Sequence, residues 1–230
     1  IAIQRAQEAE EAKRETEDAR RDAEESLRIA IQIIPAANSL HSLETGQHVS
    51  RVSEYCRLLA IEYGLDERFA DSLAFASPMH DIGKIGIDPH ILHKPGKLDA
   101  DEYEKIKRHA ELGYEFLMQF SQKPLFALGA TIAYTHQEKW DGTGYPRGLQ
   151  GENIPIEGRI AALADVFDAL GEDRTYKKAW PLDEVLAYLE KNRGSHFEPR
   201  LVDLFFQNKD RILHIRESYA EKAAQTVVPK

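Results

Sequence analysis

An all-α fold is what this sequence predicts, on three observations. Ala, Leu and Ile recur with little apolar–polar alternation, so strands of period two are not signalled. Pro, Gly and Asp fall where helices would start and stop. The first 34 residues contain neither Gly nor Pro and set charged and small residues at helical spacing.

In residues 1–34, small side chains stand at Ala2, Ala9, Ala12, Thr16, Ala19, Ala23, Ser26 and Ala30. From Ala9 onward the steps alternate three and four, as in a heptad seam. Glu10–Arg14, Glu17–Arg21 and Glu24–Arg28 are i,i+4 pairs with the acid first, the favourable order. A two-stranded parallel coiled coil is the preferred reading and a solvated single helix the other. On the preferred reading the segment pairs two copies into a homodimer. On either it looks like a connector from an upstream module. Pro35 ends or kinks it.

The globular pattern begins at Asn38. Residues 38–63 read as a helix whose apolar face includes Val49, Val52, Leu59 and Ile61, stopped near Gly64. A second helix covers 67–80, with Pro78 disturbing its last turn. A loop comes next over 83–98, marked by Gly83, Gly86, Pro89, Pro95 and Gly96. Asp99 followed by Glu102 has the pattern of a capping box, so a helix starts there and runs to about Phe120. Another covers about 124–137. Residues 140–158, WDGTGYPRGLQGENIPIEG, are the least regular stretch, with five glycines and two prolines. So long a loop inside a compact domain is functional or disordered, and its Trp and Tyr argue against disorder. Helices are expected at about 159–171, at 182–192 after Pro181, and at 199–219 after Pro199. Thr226 to Lys230 are expected to fray.

The chain has 39 acidic and 30 basic residues, a formal charge of −9. That argues against a general nucleic-acid binder, and no DNA partner is expected. An acidic protein with an anionic substrate needs a local reversal of field, from metal ions or clustered Arg and Lys. The single cysteine, Cys56, lies in a helical stretch and reads as core packing. One cysteine builds no disulfide framework, so a reducing, cytoplasmic setting is expected. No apolar run is long enough to span a bilayer and no signal peptide is visible, so no membrane insertion of this segment is expected. The chain begins at Ile1 rather than Met, as a piece of a longer protein would.

Residues with metal-binding chemistry stand on separate predicted helices. His80 and Asp81 open HDIGKIG (80–86). Glu44 and His48 are four apart on one helix face, with Arg51 one turn beyond. His109 is on the capped helix. His136 is near the end of the next one, with Glu138 two residues later. Asp165 and Asp168 lie one turn apart. Imidazoles and carboxylates without thiolates suit Fe, Mn or Zn at an open hydrolytic site. A carboxylate such as Asp81 can bridge two ions, which can hold a hydroxide and clamp the attacking and leaving oxygens of a phosphate ester. No Ser or Cys nucleophile stands out, and this chemistry needs none. A lone helical histidine is more often a core or surface residue. The case rests on the joint presence of these residues, because a helix bundle can gather ligands from separate helices.

HDIGKIG (80–86), KPGKL (94–98), the HxEKWDGTGYP run (136–146) and RIAALADVFDAL (159–170) together closely resemble the HD-GYP family. These are HD-superfamily phosphohydrolases that cleave the bacterial messenger cyclic di-GMP. The resemblance spans about 38–215. It implies an HD-type helical bundle over 38–220, preceded by the coiled-coil or signalling helix at 1–37 and followed by a tail at 221–230. It implies a bacterial, cytoplasmic phosphodiesterase hydrolysing cyclic di-GMP to pGpG and/or GMP through a metal-bound hydroxide, with a receiver or sensor module upstream. Carried over residue by residue, the metal ligands fall on His48, His80, Asp81, His109, His136 and Asp165. Asp81 takes the bridging position, and Glu44 falls where some members hold a third ion. Two or three divalent ions are implied, Fe or Mn first, with Zn, Ni and Mg as the others. Lys84 falls beside the metals, near the scissile phosphate or the attacking hydroxide, so Asp81 and Lys84 are the expected catalytic pair. Arg174 and Lys177, in DRTYKKAW (173–180), match residues that contact substrate phosphates, and Tyr145 of the signature loop lines the pocket.

One departure matters. Where the family has two consecutive histidines, this chain has His136 and Gln137. Gln137 brings an amide oxygen to a metal-ligand position, a weaker donor than imidazole. It opens a second reading: a catalytically weak domain that binds cyclic di-GMP or a partner protein and signals through its N-terminal helix. A hydrolase of nucleotides or of another cyclic dinucleotide is a third.

Overall fold

The structure, a computed structural model, describes residues 46–172 and 178–226 together with 10, 11, 13, 14, 16–18 and 21; from residue 220 onward it describes backbone alone. The expected coiled coil at 1–37 therefore lies almost wholly outside the described residues. The described positions between 10 and 21 are helical, and Arg21 lies 3.4 Å from Asp18 one turn earlier.

From Gly46 onward the described helices are α1 (Gly46–Tyr63), α2 (Glu67–Ala76), α3 (Pro89–Leu92), α4 (Ala100–Lys107), α5 (His109–Met118), α6 (Pro124–Thr135), α7 (Ile156–Leu170), α8 (Leu182–Lys191), α9 (Pro199–Gln207) and α10 (Lys209–Thr226). Short 3-10 turns occupy Ser77–Met79, Ile82–Gly86 and Gly151–Asn153. Among the described residues there is no strand, only two isolated bridges, Asp141–Gln150 and Arg193–Phe197. The all-α expectation is met. No helix among the described residues is long and apolar enough to cross a membrane.

Local chemistry explains most boundaries. The Asp66 carboxylate accepts from the Phe69 amide and starts α2. Both halves of the Asp99–Glu102 capping box form at α4. Lys94 of the KPGKL motif reaches back to Glu102 at 2.6 and 2.7 Å and fastens the preceding loop to that helix. Three expected helices are shorter than the sequence pattern suggests. The one expected to end at 80 stops at Ala76, and its remaining turn, containing Pro78, is 3-10. The one expected over 99–120 breaks at Arg108, where the His109 ring takes the Ile106 carbonyl at 2.6 Å. The one expected over 199–219 breaks at Asn208, whose side-chain amide donates to the Leu204 carbonyl at 3.1 Å in competition with the backbone.

The core lies between α1, α7 and α9, with α2, α6 and α8 around it. Phe167 stands edge-on to Tyr55 at 5.3 Å and to Phe205 at 4.8 Å, joining the three central helices. Burying a side chain of this kind contributes about 1.5–3 kcal/mol. Cys56 is fully buried in the same core, and burial pushes its thiol up to about 12, so it is packing and not a nucleophile.

Two close backbone approaches hold the turns and helix ends near His109 and His136 in place. A Cβ on Gly83 would lie 2.0 Å from the His109 carbonyl oxygen and 2.4 Å from the Gly113 amide, so the 82–86 turn sits directly on α5. A Cβ on Gly158 would lie 2.1 Å from Thr135 Oγ1, so α7 starts hard against the end of α6. Glycine is what lets these backbones meet.

Candidate metal centre

These contacts bring ligands from five elements to one place. Helix α1 carries His48, and the turn after α2 delivers His80 and Asp81. His109 opens α5, His136 comes directly after α6, and Asp165 lies on α7. All are buried except Asp165, which keeps partial exposure. They form two triads, His48–His80–Asp165 and Asp81–His109–His136, each with its donor atoms within 4.8 Å of one another.

Asp81 joins the triads through its two oxygens. Its Oδ2 lies 3.2 Å from His80 Nε2, and its Oδ1 lies 3.2 Å from His109 Nε2 and 3.6 Å from His136 Nε2. On the other side, Asp165 Oδ1 is 3.4 Å from His48 Nε2 and 3.8 Å from His80 Nε2. A carboxylate with one oxygen toward each group has the geometry of a bridge between two cations.

The rings are turned for ligation by their outer nitrogens. His80 Nδ1 faces the Ser77 carbonyl at 2.8 Å, His109 Nδ1 that of Ile106 at 2.6 Å, and His136 Nδ1 those of Ala133 and Ile132 at 3.1 and 3.2 Å. A carbonyl only accepts, so each Nδ1 carries the proton and each Nε2 faces the centre. Burial lowers the His109 imidazole to about 4, so its Nε2 offers a lone pair. That atom lies 3.4 Å from His136 Nε2 and faces Asp81 as well. Acceptors converging on one point without thiolates suit a divalent cation such as Fe, Mn or Zn.

The electrostatics favour ionised carboxylates. Burial alone would raise Asp81, but the Lys84 ammonium, bonded to its Oδ2, and His80 outweigh it and hold the carboxyl well below its usual range. Burial likewise opposes ionisation of Asp165, and the hydrogen bond from His48 with the charges of His80 and His48 overcomes it. Burial would lower His48, but Asp165 and Asp168 together lift it to about 10. Protein ionisation and a bound cation thus draw on the same acids.

Behind His48 stands a buried support whose role the sequence did not disclose. Asp168 Oδ2 accepts from His48 Nδ1 at 2.8 Å. Arg51 donates to both Asp168 oxygens, Nε at 2.7 Å and Nη2 at 2.8 Å, and also bonds Glu172. His48, Asp168 and Glu172 make a third donor group, but the Arg51 guanidinium already lies among its carboxylates. This group therefore orients the ring. The signal was in the spacing: His48–Arg51 and Asp165–Asp168 are each one turn apart, so two facing helices present matching pairs. Asp168→Asn is expected to weaken Mn(II) binding about 10–100-fold, the usual cost of losing an outer partner of a metal-binding histidine, as read by calorimetric titration.

The irregular 140–158 loop is anchored rather than disordered. The Glu138 carboxylate accepts from the amides of Arg147 at 2.8 Å and Leu149 at 3.0 Å. Trp140 and Asp141 amides donate to the carbonyls of His196 and Ser195. The Tyr145 amide donates to the Gln137 carbonyl at 3.1 Å, and the Tyr145–Pro146 peptide is cis. The Tyr145 ring sits edge-on to His109, ring centroids 6.2 Å apart. Gln137 comes next to His136 and is partly exposed, and its backbone carbonyl anchors Tyr145. Glu44, Arg174 and Lys177 lie outside the described residues.

Known proteins resemble this chain along the same lines. Residues 23–201 match the HD domain family. The chain is 51% identical over 177 residues to the 3'3'-cGAMP-specific phosphodiesterase 2 of Vibrio cholerae, covering 77% of this chain and 34% of that protein. It is 44% identical over 181 residues to the cyclic di-GMP phosphodiesterase response regulator RpfG of Xanthomonas campestris pv. campestris, covering 79% of this chain and 48% of that protein. The chain thus spans about a third to a half of the length of these curated relatives. It superposes on the crystal structure of a cyclic GMP-AMP-specific phosphodiesterase of V. cholerae, V-cGAP3, with a TM-score of 0.62 at 18% identity, over 86% of this chain and 54% of that one. At that identity the likeness speaks to the fold alone.

Proposed function

The chain belongs to the HD-GYP family, and from that premise we propose that it is a metal-dependent phosphodiesterase hydrolysing cyclic di-GMP to pGpG and/or GMP. The observation that carries this reading is the division of the two Asp81 oxygens between two histidine-rich triads. His48, His80 and Asp165 would hold one divalent ion, His109 and His136 the other, with Asp81 between them; Fe and Mn lead for this donor set. When bound, such a pair of ions polarises water and neutralises phosphate charge, as in-line hydrolysis of a diester requires. Asp81 orients the centre. Lys84, bonded to Asp81, holds a positive charge and a proton on Nζ beside the place where the phosphate would sit. Tyr145, edge-on to His109, would cover that side of the centre and limit water access there. Arg174 and Lys177 complete the reading as further phosphate contacts.

The names of both relatives support a cyclic dinucleotide as substrate. The 51% identity to a 3'3'-cGAMP-specific enzyme favours that molecule as a second substrate reading. The test is anaerobic hydrolysis of cyclic di-GMP and 3'3'-cGAMP with Fe(II) or Mn(II). Turnover of either upholds the phosphodiesterase, and the ratio of kcat/KM values assigns the substrate. No turnover of either by metal-loaded protein rejects it.

Gln137 motivates the alternative of a weak domain that signals by binding. On the phosphodiesterase reading, Gln137→His raises metal affinity and leaves turnover within about tenfold of the parent. Activity in Gln137→His that the parent wholly lacks would make binding the native role. The N-terminal helix is proposed to pair two copies, as its heptad spacing supports, and to connect an upstream receiver or sensor module of a bacterial cytoplasmic protein.

A further inference from the structure

The metal centre accounts for one phosphate, and a cyclic dinucleotide has two. Each is an anion, and in a chain of formal charge −9 the one that is not attacked calls for cations on the protein beyond the metal centre, Arg174 and Lys177 being proposed as two of them. Helix α4 supplies one. Tyr103 and Lys107 are four residues apart and share a face. The break at Arg108 ends α4 immediately before His109, so this face reaches the rim of the centre. Lys107 Nζ lies 5.6 Å from the Tyr103 ring centroid and 5.6 Å from that of Tyr145, whose ring stands against His109. Tyr103 is 50% exposed, which leaves ring surface open to solvent. Lys107 also pairs with the exposed Glu104 at 2.6 Å, a surface contact that a phosphate can displace. An ammonium against aromatic faces keeps its full charge and its donors, since the rings contribute only a quadrupole.

We propose that Lys107, held between Tyr103 and Tyr145, forms a nucleotide subsite beside the metal centre, taking the unattacked phosphate of a cyclic dinucleotide on its ammonium and one purine on the Tyr103 ring. The subsite rests on the phosphodiesterase reading and names how that substrate is gripped. An aromatic face takes any base by stacking, and a lysine takes phosphate as a point charge. The pair therefore recognises a nucleotide without reading its identity.

The test compares Lys107→Met, Lys107→Arg, Tyr103→Leu and Tyr103→Phe in the metal-loaded protein. Lys107→Met and Tyr103→Leu are expected to raise KM for cyclic di-GMP about tenfold each. Lys107→Arg keeps the charge and Tyr103→Phe keeps the ring, so both stay near the parent. Hydrolysis of bis(p-nitrophenyl) phosphate, which has neither purine nor second phosphate, is expected to be unchanged in all four, as is metal content. A KM within twofold of the parent for both Lys107→Met and Tyr103→Leu overturns the subsite, as does an equal loss on the small diester. Binding of a hydrolysis-resistant phosphorothioate analogue of cyclic di-GMP separates the two claims. A parent that binds it without hydrolysing cyclic di-GMP rejects the reaction, and the ratio of dissociation constants then decides the subsite. A parent that neither binds nor hydrolyses rejects both.

Discussion

Asp81→Ala is expected to abolish turnover and to strip metal from both triads at once. Among the described residues the carboxylate is the one group shared by the two: Oδ2 faces His80, while Oδ1 faces His109 and His136. Removing it leaves two histidines on one side and two histidines with Asp165 on the other, and no anion between two like-charged ions. It also removes the acid to which the Lys84 ammonium is bonded. Together these losses exceed the roughly 10–100-fold fall in affinity that accompanies loss of an outer partner. Elemental analysis after gel filtration reads metal content, and helical circular dichroism verifies that the bundle persists. Full metal content in folded Asp81→Ala protein would remove Asp81 from the bridging role.

The second large effect is steric. Gly83→Ala would place a methyl 2.0 Å from the His109 carbonyl oxygen and 2.4 Å from the Gly113 amide. Both are backbone atoms, so no side-chain rotation relieves the overlap, and the 82–86 turn must lift from α5. That movement carries Asp81 away from His109, whose Nε2 is 3.2 Å from its Oδ1. A loss of about 3 kcal/mol, at the upper end for overpacking, is expected together with loss of metal from the Asp81–His109–His136 triad. Chemical denaturation and Mn(II) titration read the two consequences. Gly46→Ala is the matched control: among the described residues nothing lies within 4 Å of its added Cβ, so its effect should stay within about 1 kcal/mol. A Gly83→Ala protein as stable as the parent would mean that the turn and α5 cross with room to spare.

How far the sequence discloses this arrangement differs by feature. Helices with a chemical start signal were legible: the capping box at Asp99 and the prolines at 181 and 199 all stand at helix starts. Helix ends set by competition for a carbonyl were not. The breaks at Arg108 and Asn208 come from the His109 ring and the Asn208 amide bonding backbone oxygens, and no periodicity announces that. At the centre, His48, His80, Asp81, His109, His136 and Asp165 were each legible as residue types in context, and the structure brings them together. The supporting layer was only half legible. Arg51 and Asp168 were visible as neighbours of His48 and Asp165, but a bidentate pair between residues 117 apart depends on how α1 meets α7. Glu138 could be seen beside His136. That its carboxylate pins the amides of Arg147 and Leu149 is a property of the folded loop.

The account stands on two cations sharing Asp81. Anomalous diffraction from crystals of the Mn(II)-loaded protein tests this most directly. Two peaks are expected, one among His48, His80 and Asp165 and one between His109 and His136, with an Asp81 oxygen on each. A single peak, or manganese lodged at Asp168 and Glu172 with the Arg51 guanidinium displaced, would contradict it.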